Sequence, residues 1–396
     1  MTICAPKGFE FSVAEAAIKK TGRSDLALIY SAGQAVVSAM FTTNRVKAAP
    51  VLLNIKRIRR GLSRAVIINS GNANACTGKQ GLIDADEMTR LVSDALGLKK
   101  GDVLVCSTGV IGTPLPMQRI RHSIPMLIDN LGKYGLNDVA KAIMTTDTFE
   151  KLSSRSLTIG DQNVCITGIA KGAGMISPNM ATMLCFIMTD CNISRSLLSR
   201  ALRSAVSKSF NLITVDGDMS TNDTVIVMAN SYANNPLIDN PKSSDYKEFY
   251  NALEEICYEL AVMIVRDGEG ATKVIFVDVV NARTQQDADV SARAIANSML
   301  VKTAVYGCDA NWGRIISALG YSGARVNPNK VNIYINGIKV SDKGLSTGLD
   351  EQAQSSMKMS KEISILVDLN NGSKNSRVIT CDLTENYIKI NAEYRT

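Results

Sequence analysis

Several short runs of the chain are apolar at nearly every position and bounded by turn-forming residues, as strands buried on both faces are. Ala65–Asn69, Val103–Cys106, Met183–Thr189, Thr224–Met228 and Val274–Val280 have this form. Val331–Asn336 (V-N-I-Y-I-N) alternates instead, which predicts a strand with one solvated face. Between these runs the period changes. Phe249, Leu253, Ile256, Cys257, Leu260, Ala261 and Ile264 recur at three- and four-residue spacing, predicting a helix over Asp245–Val265 opened by an Asp245-x-x-Glu248 capping box. Ser194–Phe210 predicts a second helix, with Leu197, Leu198, Ala201, Leu202, Ala205 and Val206 on one face. Such interspersed elements point to an α/β class, with sheets covered by helices. Internal repeats and low-complexity segments are absent from the sequence.

At 396 residues the chain has room for two domains. With 45% hydrophobic and 20% charged residues it reads as an ordinary soluble globular protein. Leu184–Met188 and Val274–Val277 are strand-sized, far short of the ~18 apolar residues of a membrane span. The opening Met1–Lys20 carries Glu10 and Glu15 and lacks a basic-then-apolar leader, so a cytoplasmic protein is expected, with no membrane partner. The net charge of +7 is modest. The densest basic cluster, Lys56–Arg60, has no interleaved aromatic for base stacking; it reads as a solvated face, the alternative being a patch for an anionic ligand or nucleic acid, and no nucleic-acid partner is expected.

His122 is the single histidine, set in the basic stretch R-I-R-H-S. Serine and cysteine hydrolases with a histidine base, and histidine-ligated metals, need imidazole at the chemistry. An enzyme built on this sequence therefore works without it. The nine cysteines form no Cys-x-x-Cys pair and are expected to be small buried thiols in a reducing compartment. Neither a metal site nor a cofactor is expected. Gly71…Gly78-Lys79-Gln80 has the wrong glycine spacing for a P-loop, and no Gln/Arg-x-x-Gly-x-Gly/Ala string offers a coenzyme A pyrophosphate loop.

Residues 169–190 carry the strongest chemical signal. A glycine-rich, lysine-bearing loop (Lys171, Gly172, Gly174) runs through S-P-N-M-A-T into an apolar strand. Cleavage between Ala181 and Thr182 would give Thr182 a free α-amino group, with an ordinary pKa of ~7.7–8.0, as base for its own hydroxyl. The alternative is a glycine-rich turn followed by an ordinary strand threonine. Residues 1–181 hold 22 Lys and Arg against 13 Asp and Glu, and residues 182–396 hold 22 against 24, so the two pieces carry opposite net charge.

The stretch K-G-A-G-M-I-S-P-N-M-A-T-M-L resembles the self-cleavage segment of the ornithine acetyltransferase (glutamate N-acetyltransferase) family. Further pieces match in order: N-S-G-N-A-N-A-C-T-G (Asn69–Gly78), C-S-T-G-V-I-G (Cys106–Gly112), M-T-T-D-T (Met144–Thr148), V-D-G-D-M-S-T-N-D-T (Val215–Thr224), R-D-G-E-G-A-T-K (Arg266–Lys273), D-A-N-W-G-R-I (Asp309–Ile315) and the terminal I-N-A-E-Y-R-T. The resemblance spans nearly the whole chain.

It implies a layered α/β sandwich like that of N-terminal-nucleophile hydrolases, with a smaller C-terminal α/β domain. It also implies cleavage into fragments 1–181 and 182–396, assembled as a heterotetramer of two of each. Thr182 would move an acetyl group from N2-acetylornithine to glutamate through an acetyl-threonine ester. Thr108 and Gly109 match the family's oxyanion hole. Lys171, a point charge suited to a carboxylate, matches a substrate contact, as do Thr148, Glu269, Asn391 and Thr396. Thr145 and Thr146 lie close to Thr148 in register. Members of the family differ in whether acetyl-CoA also serves as donor; any such use would pass through the Thr182 ester. The rival within the same superfamily is an aminopeptidase or amidohydrolase with water as acceptor.

Overall fold

The computed structural model describes residues 3–177 and 183–393. Its first sheet contains β1 (Phe9–Ala14), β2 (Leu26–Phe41), β3 (Leu62–Asn72), β4 (Val103–Val110), β5 (Lys151–Ile159), β6 (Gln162–Lys171), β7 (Leu184–Thr189) and β8 (Thr224–Ala229). The order is β4-β3-β2-β8-β7-β6-β5, with β1 also paired to β2. Pairs β3–β4 and β7–β8 are parallel and the others antiparallel. Strands β7 and β8, which follow residue 182, therefore sit between β2 and β6, which precede it.

The uninterrupted apolar runs have a direct cause. In β7, Leu184, Phe186 and Met188 enter one core while Cys185 and Ile187 enter another. β3 divides likewise, Val66 and Ile68 to one side, Ala65 and Ile67 to the other. Both faces are dry, so neither set of alternate positions can be polar. The helices Arg195–Ser207 and Ser244–Arg266 supply the apolar cover beside β7 and β8. The longer helix is capped by Ser243, which accepts from the amide of Tyr246, so the expected Asp245–Glu248 box is not its start.

The second sheet contains β9 (Val274–Ala282), β10 (Asn332–Ile335), β11 (Ile338–Asp342), β12 (Leu345–Ser346), β13 (Glu362–Asp368) and β14 (Lys374–Cys381), in the order β12-β11-β10-β13-β9-β14. It packs with the helix Gln285–Asn297 around a separate core. The layered α/β class with a smaller C-terminal unit is thus the one observed. The two cores divide near Val274, and in sequence the 181/182 junction lies between β6 and β7, both strands of the first sheet.

Two expectations are revised. Cys4 and Cys165 form a disulfide across 161 residues, and Cys76 is exposed, so the cysteines are not uniformly buried thiols. The Lys56–Arg60 cluster is not a plain solvated face: Arg57 is buried, donating to the carbonyl of Val103 and pairing with Asp86 at 2.9 Å, and Arg60 pairs with Asp102 at 3.0 Å. Among the described residues no helix is long and apolar enough to cross a membrane.

Candidate active site

A cavity of about 250 Å³ opens where the ends of β4 and β6 meet the 216–222 loop, the turn before β9 and the C-terminal helix. Thr108, Gly109, Lys171, Glu269 and Asn391 all line it, together with Thr145, Thr146, Met175, Asp216, Asp218, Ser220, Asn222 and Tyr387. His122 is exposed on the helix Met117–Asp129, away from the cavity lining.

Thr108 and Gly109 end β4 beside Ser70 and Gly71 of β3. Gly109 has φ +132°, and a Cβ there would lie 2.2 Å from the carbonyl carbon of Gly71. Only glycine allows this approach. Lys171 closes β6 with its ammonium inside the protein, 2.8 Å from Thr145 Oγ1 and 3.3 Å from Thr108 Oγ1. An ammonium only donates, so Thr108 Oγ1 accepts here and its own hydrogen is left for another acceptor. Burial pushes the Lys171 ammonium below the usual lysine range, with the Asp147 carboxylate, 3.9 Å away, opposing the shift.

Beneath Lys171 lies a charge network that the motifs did not reveal. The fully buried ammonium of Lys151 sits 2.8 Å from Asp147 and 2.5 Å from Asp267. Burial alone would raise the Asp147 carboxyl, but Lys171, Lys151 and the amide of Thr145 hold it below the ordinary carboxylate range. Asp147 also accepts from the amide of Gly172 at 2.6 Å, tying the M-T-T-D-T segment to the glycine loop. Thr148 does not line the cavity. Its amide and hydroxyl both go to Asp267, while Thr145 and Thr146 face the space. Asp147 lies in a loop and Lys151 begins β5, so their spacing of four is not a helical pair and the sequence held no signal for this network.

The opposite wall is acidic. A Cβ on Gly174 would fall 2.4 Å from Glu269 Oε2, so the glycine leaves room for that carboxylate. The Glu269 amide donates to the carbonyl of Ala173 at 2.8 Å. Asp216 accepts from the amides of Met175 and Ile176 at 2.6 and 2.8 Å; burial raises its carboxyl despite these bonds. The helix Glu385–Glu393 approaches through Gly270, where a Cβ would lie 2.5 Å from the Tyr387 amide. This contact brings Asn391 Nδ2 to 2.8 Å from Glu269. The cavity thus offers a buried cation on one side and carboxylates on the other, a fit for a small zwitterionic molecule.

Ala181, Thr182 and Thr396 lie outside the described residues. Met183, bonded to Thr182, is buried; its amide donates to Asp223 at 3.1 Å and its carbonyl accepts from Thr224 at 3.1 Å. Among the described residues no group of histidine, cysteine, aspartate and glutamate is placed to hold a metal ion.

Residues 10–396 match the model of the ArgJ family. The arginine biosynthesis bifunctional protein ArgJ of Geobacter sulfurreducens is 54% identical over 391 residues, 98% of this chain and 99% of its own. Its namesake from Caldanaerobacter subterraneus subsp. tengcongensis is 49% identical over 395 residues, 99% of this chain and 98% of its own. A crystal structure of the arginine biosynthesis bifunctional protein from Bacillus halodurans is 46% identical with a TM-score of 0.51; the match covers 53% of this chain and 98% of that one.

Proposed function

The chain belongs to the ArgJ family, and from that premise we propose that it is a self-cleaving glutamate N-acetyltransferase of arginine biosynthesis. The observation that carries this reading is the single cavity in which Thr108, Gly109, Lys171, Glu269 and Asn391 converge from distant segments. Thr182 is the nucleophile, one bond before the anchored Met183. Its hydroxyl attacks the carbonyl of Ala181, and water opens the resulting ester to leave fragments 1–181 and 182–396. The solved Bacillus halodurans relative supports such a division, since its chain, matched almost end to end, spans about half of this one.

In each turnover the α-amine of Thr182 takes the hydroxyl proton as Oγ adds to the acetyl carbonyl of N2-acetylornithine. Thr108 and Gly109 stabilise the oxyanion. The carbon–nitrogen bond breaks, the proton passes to the departing ornithine, and acetyl-Thr182 remains. Glutamate repeats these steps in reverse and leaves as N-acetylglutamate. Lys171 binds the carboxylate shared by both amino acids, and Glu269 with Asn391 meets the far end. Thr148 acts through Asp267, and Thr396 closes the site from the tail. Curated relatives are named bifunctional, and the proposal extends to acetyl-CoA as a second donor to the same ester. The fragments assemble as a heterotetramer in the cytoplasm.

Intact mass under denaturing conditions should show two pieces, the larger beginning at Thr182. Without glutamate, acetylornithine should release ornithine only as a single stoichiometric burst while acetyl-Thr182 forms, and sustained ornithine production should require glutamate. Steady acetate release without glutamate would instead establish the hydrolase. Thr108→Val should lower kcat by ~10²–10³-fold with KM nearly unchanged, since the hydroxyl serves the oxyanion; a near-normal kcat would remove Thr108 from that role.

A further inference from the structure

We infer that Asn222 is a positioning residue for the oxyanion donors, holding the Ser107–Thr108 peptide in place from across the cleavage point. The inference rests on the transferase reading above. Asn222 is buried at the cavity wall, just ahead of β8. Its side-chain nitrogen spends both hydrogens on carbonyls of the first fragment, Ala73 O at 2.7 Å and Ser107 O at 2.8 Å. Its oxygen accepts from Thr221 Oγ1 at 2.6 Å. A flipped amide would set oxygen against two carbonyl oxygens, so the orientation is fixed by its partners.

The Ser107 carbonyl belongs to the peptide plane that leads into Thr108. Gly109, next along, is held against the Gly71 backbone by strand pairing, not by a side chain of its own. Catalysis by preorganised donors tolerates errors of only a fraction of an ångström. The β3 ladder holds one edge of this backbone, and Asn222 adds a restraint on the preceding peptide. A second is within the first fragment: Ser107 Oγ donates to Asn69 Oδ1 at 2.6 Å, and Asn69 Nδ2 donates to the carbonyl of Asn72 at 2.9 Å. Asn72 in turn reaches the carbonyls of Thr113 and Pro114 at 3.0 and 3.2 Å. The asparagine-rich N-S-G-N-A-N motif thus forms the frame around Thr108 and Gly109, and Asn222 locks it to the half of the chain that carries Thr182.

Asn222→Asp keeps the shape but turns an acceptor toward both carbonyls. In cleaved protein, confirmed by intact mass, kcat should fall ~10–100-fold with KM for acetylornithine within about threefold. Combined with Thr108→Val, the double variant should be little worse than Thr108→Val alone, because the two changes damage one device. Losses that multiply, a loss confined to KM, or a kcat within twofold of wild type would each overturn the inference. Should Asn222→Asp fail to fold, Asn222→Ser, smaller and uncharged, is read by the same cycle. A wild-type protein without acetyl transfer would sink the transferase reading; an active wild type with multiplicative losses would sink the positioning role alone.

Discussion

Thr182→Ala should give a single uncut chain of 42.6 kDa with no acetyl transfer above background. Both outcomes follow from the same atom. In the proposed mechanism the hydroxyl that opens the Ala181–Thr182 bond is the one that later carries the acetyl group, and without cleavage no free α-amine would exist to act as base. Loss of an essential nucleophile removes ~10⁴-fold or more of activity in enzymes that use one. Thr182→Ser keeps the hydroxyl and should still be cut. Denaturing mass and a glutamate-dependent transfer assay, run on the same preparations, decide the matter. An uncut but active Thr182→Ala protein would refute the assignment, and a cut one would show that another residue opens the chain.

Lys151→Met should produce the largest loss of stability. Lys151 is fully buried between Asp147 and Asp267, and methionine fills its volume while removing the charge both carboxylates face. Deleting one partner of a buried ion pair costs ~3–5 kcal/mol, because the remaining charge stays in a poor solvent. The melting temperature should drop by several degrees. Asp147 sets the acid side of the wild-type profile. Its folded pKa is depressed, so its contribution is complete above the unfolded value near ~3.9 and declines as pH falls from there towards the folded value. In Lys151→Met that support is diminished, and the deficit against wild type should shrink on acidification as protonation relieves Asp147. A variant melting with wild type at neutral pH would show that the network is not a stabilising element.

The legible strands were those buried on both faces, where alternation disappears and a bare apolar run remains, as in β3, β4, β7 and β8. β5 escaped notice because K-L-S-S-R-S-L-T-I places serines and Arg155 toward solvent or partners, and it is defined by pairing with β6 more than by its own residues. β2 was hidden by the S-A-G-Q break in its middle, where its register with β3 shifts. Helix periods were readable, yet the cap of Ser244–Arg266 moved to Ser243 because several capping residues compete in that stretch. For the site, the motifs named the residues that share the cavity. They could not show that Thr148 turns to Asp267 while Thr145 faces Lys171, since register within a threonine run is a three-dimensional property. Asp267 and Lys151 stand 116 positions apart, and no local pattern announces such a pairing.

The insertion of β7 and β8 between β2 and β6 sets an order of events for making this protein. Residues 1–181 alone would present two open sheet edges, and residues 182–396 would hold only a parallel two-stranded ribbon where the shared sheet should be. Neither can complete the first sheet alone, so under the proposed cleavage that sheet would form in one chain before the cut. The proposed cut would then act as a ratchet. An uncut chain would refold by a concentration-independent process, whereas a cut protein, once unfolded, would have to bring two separate chains together and its recovery would be second order. Under the proposed mechanism, maturation would exchange the ability to refold alone for a working active site.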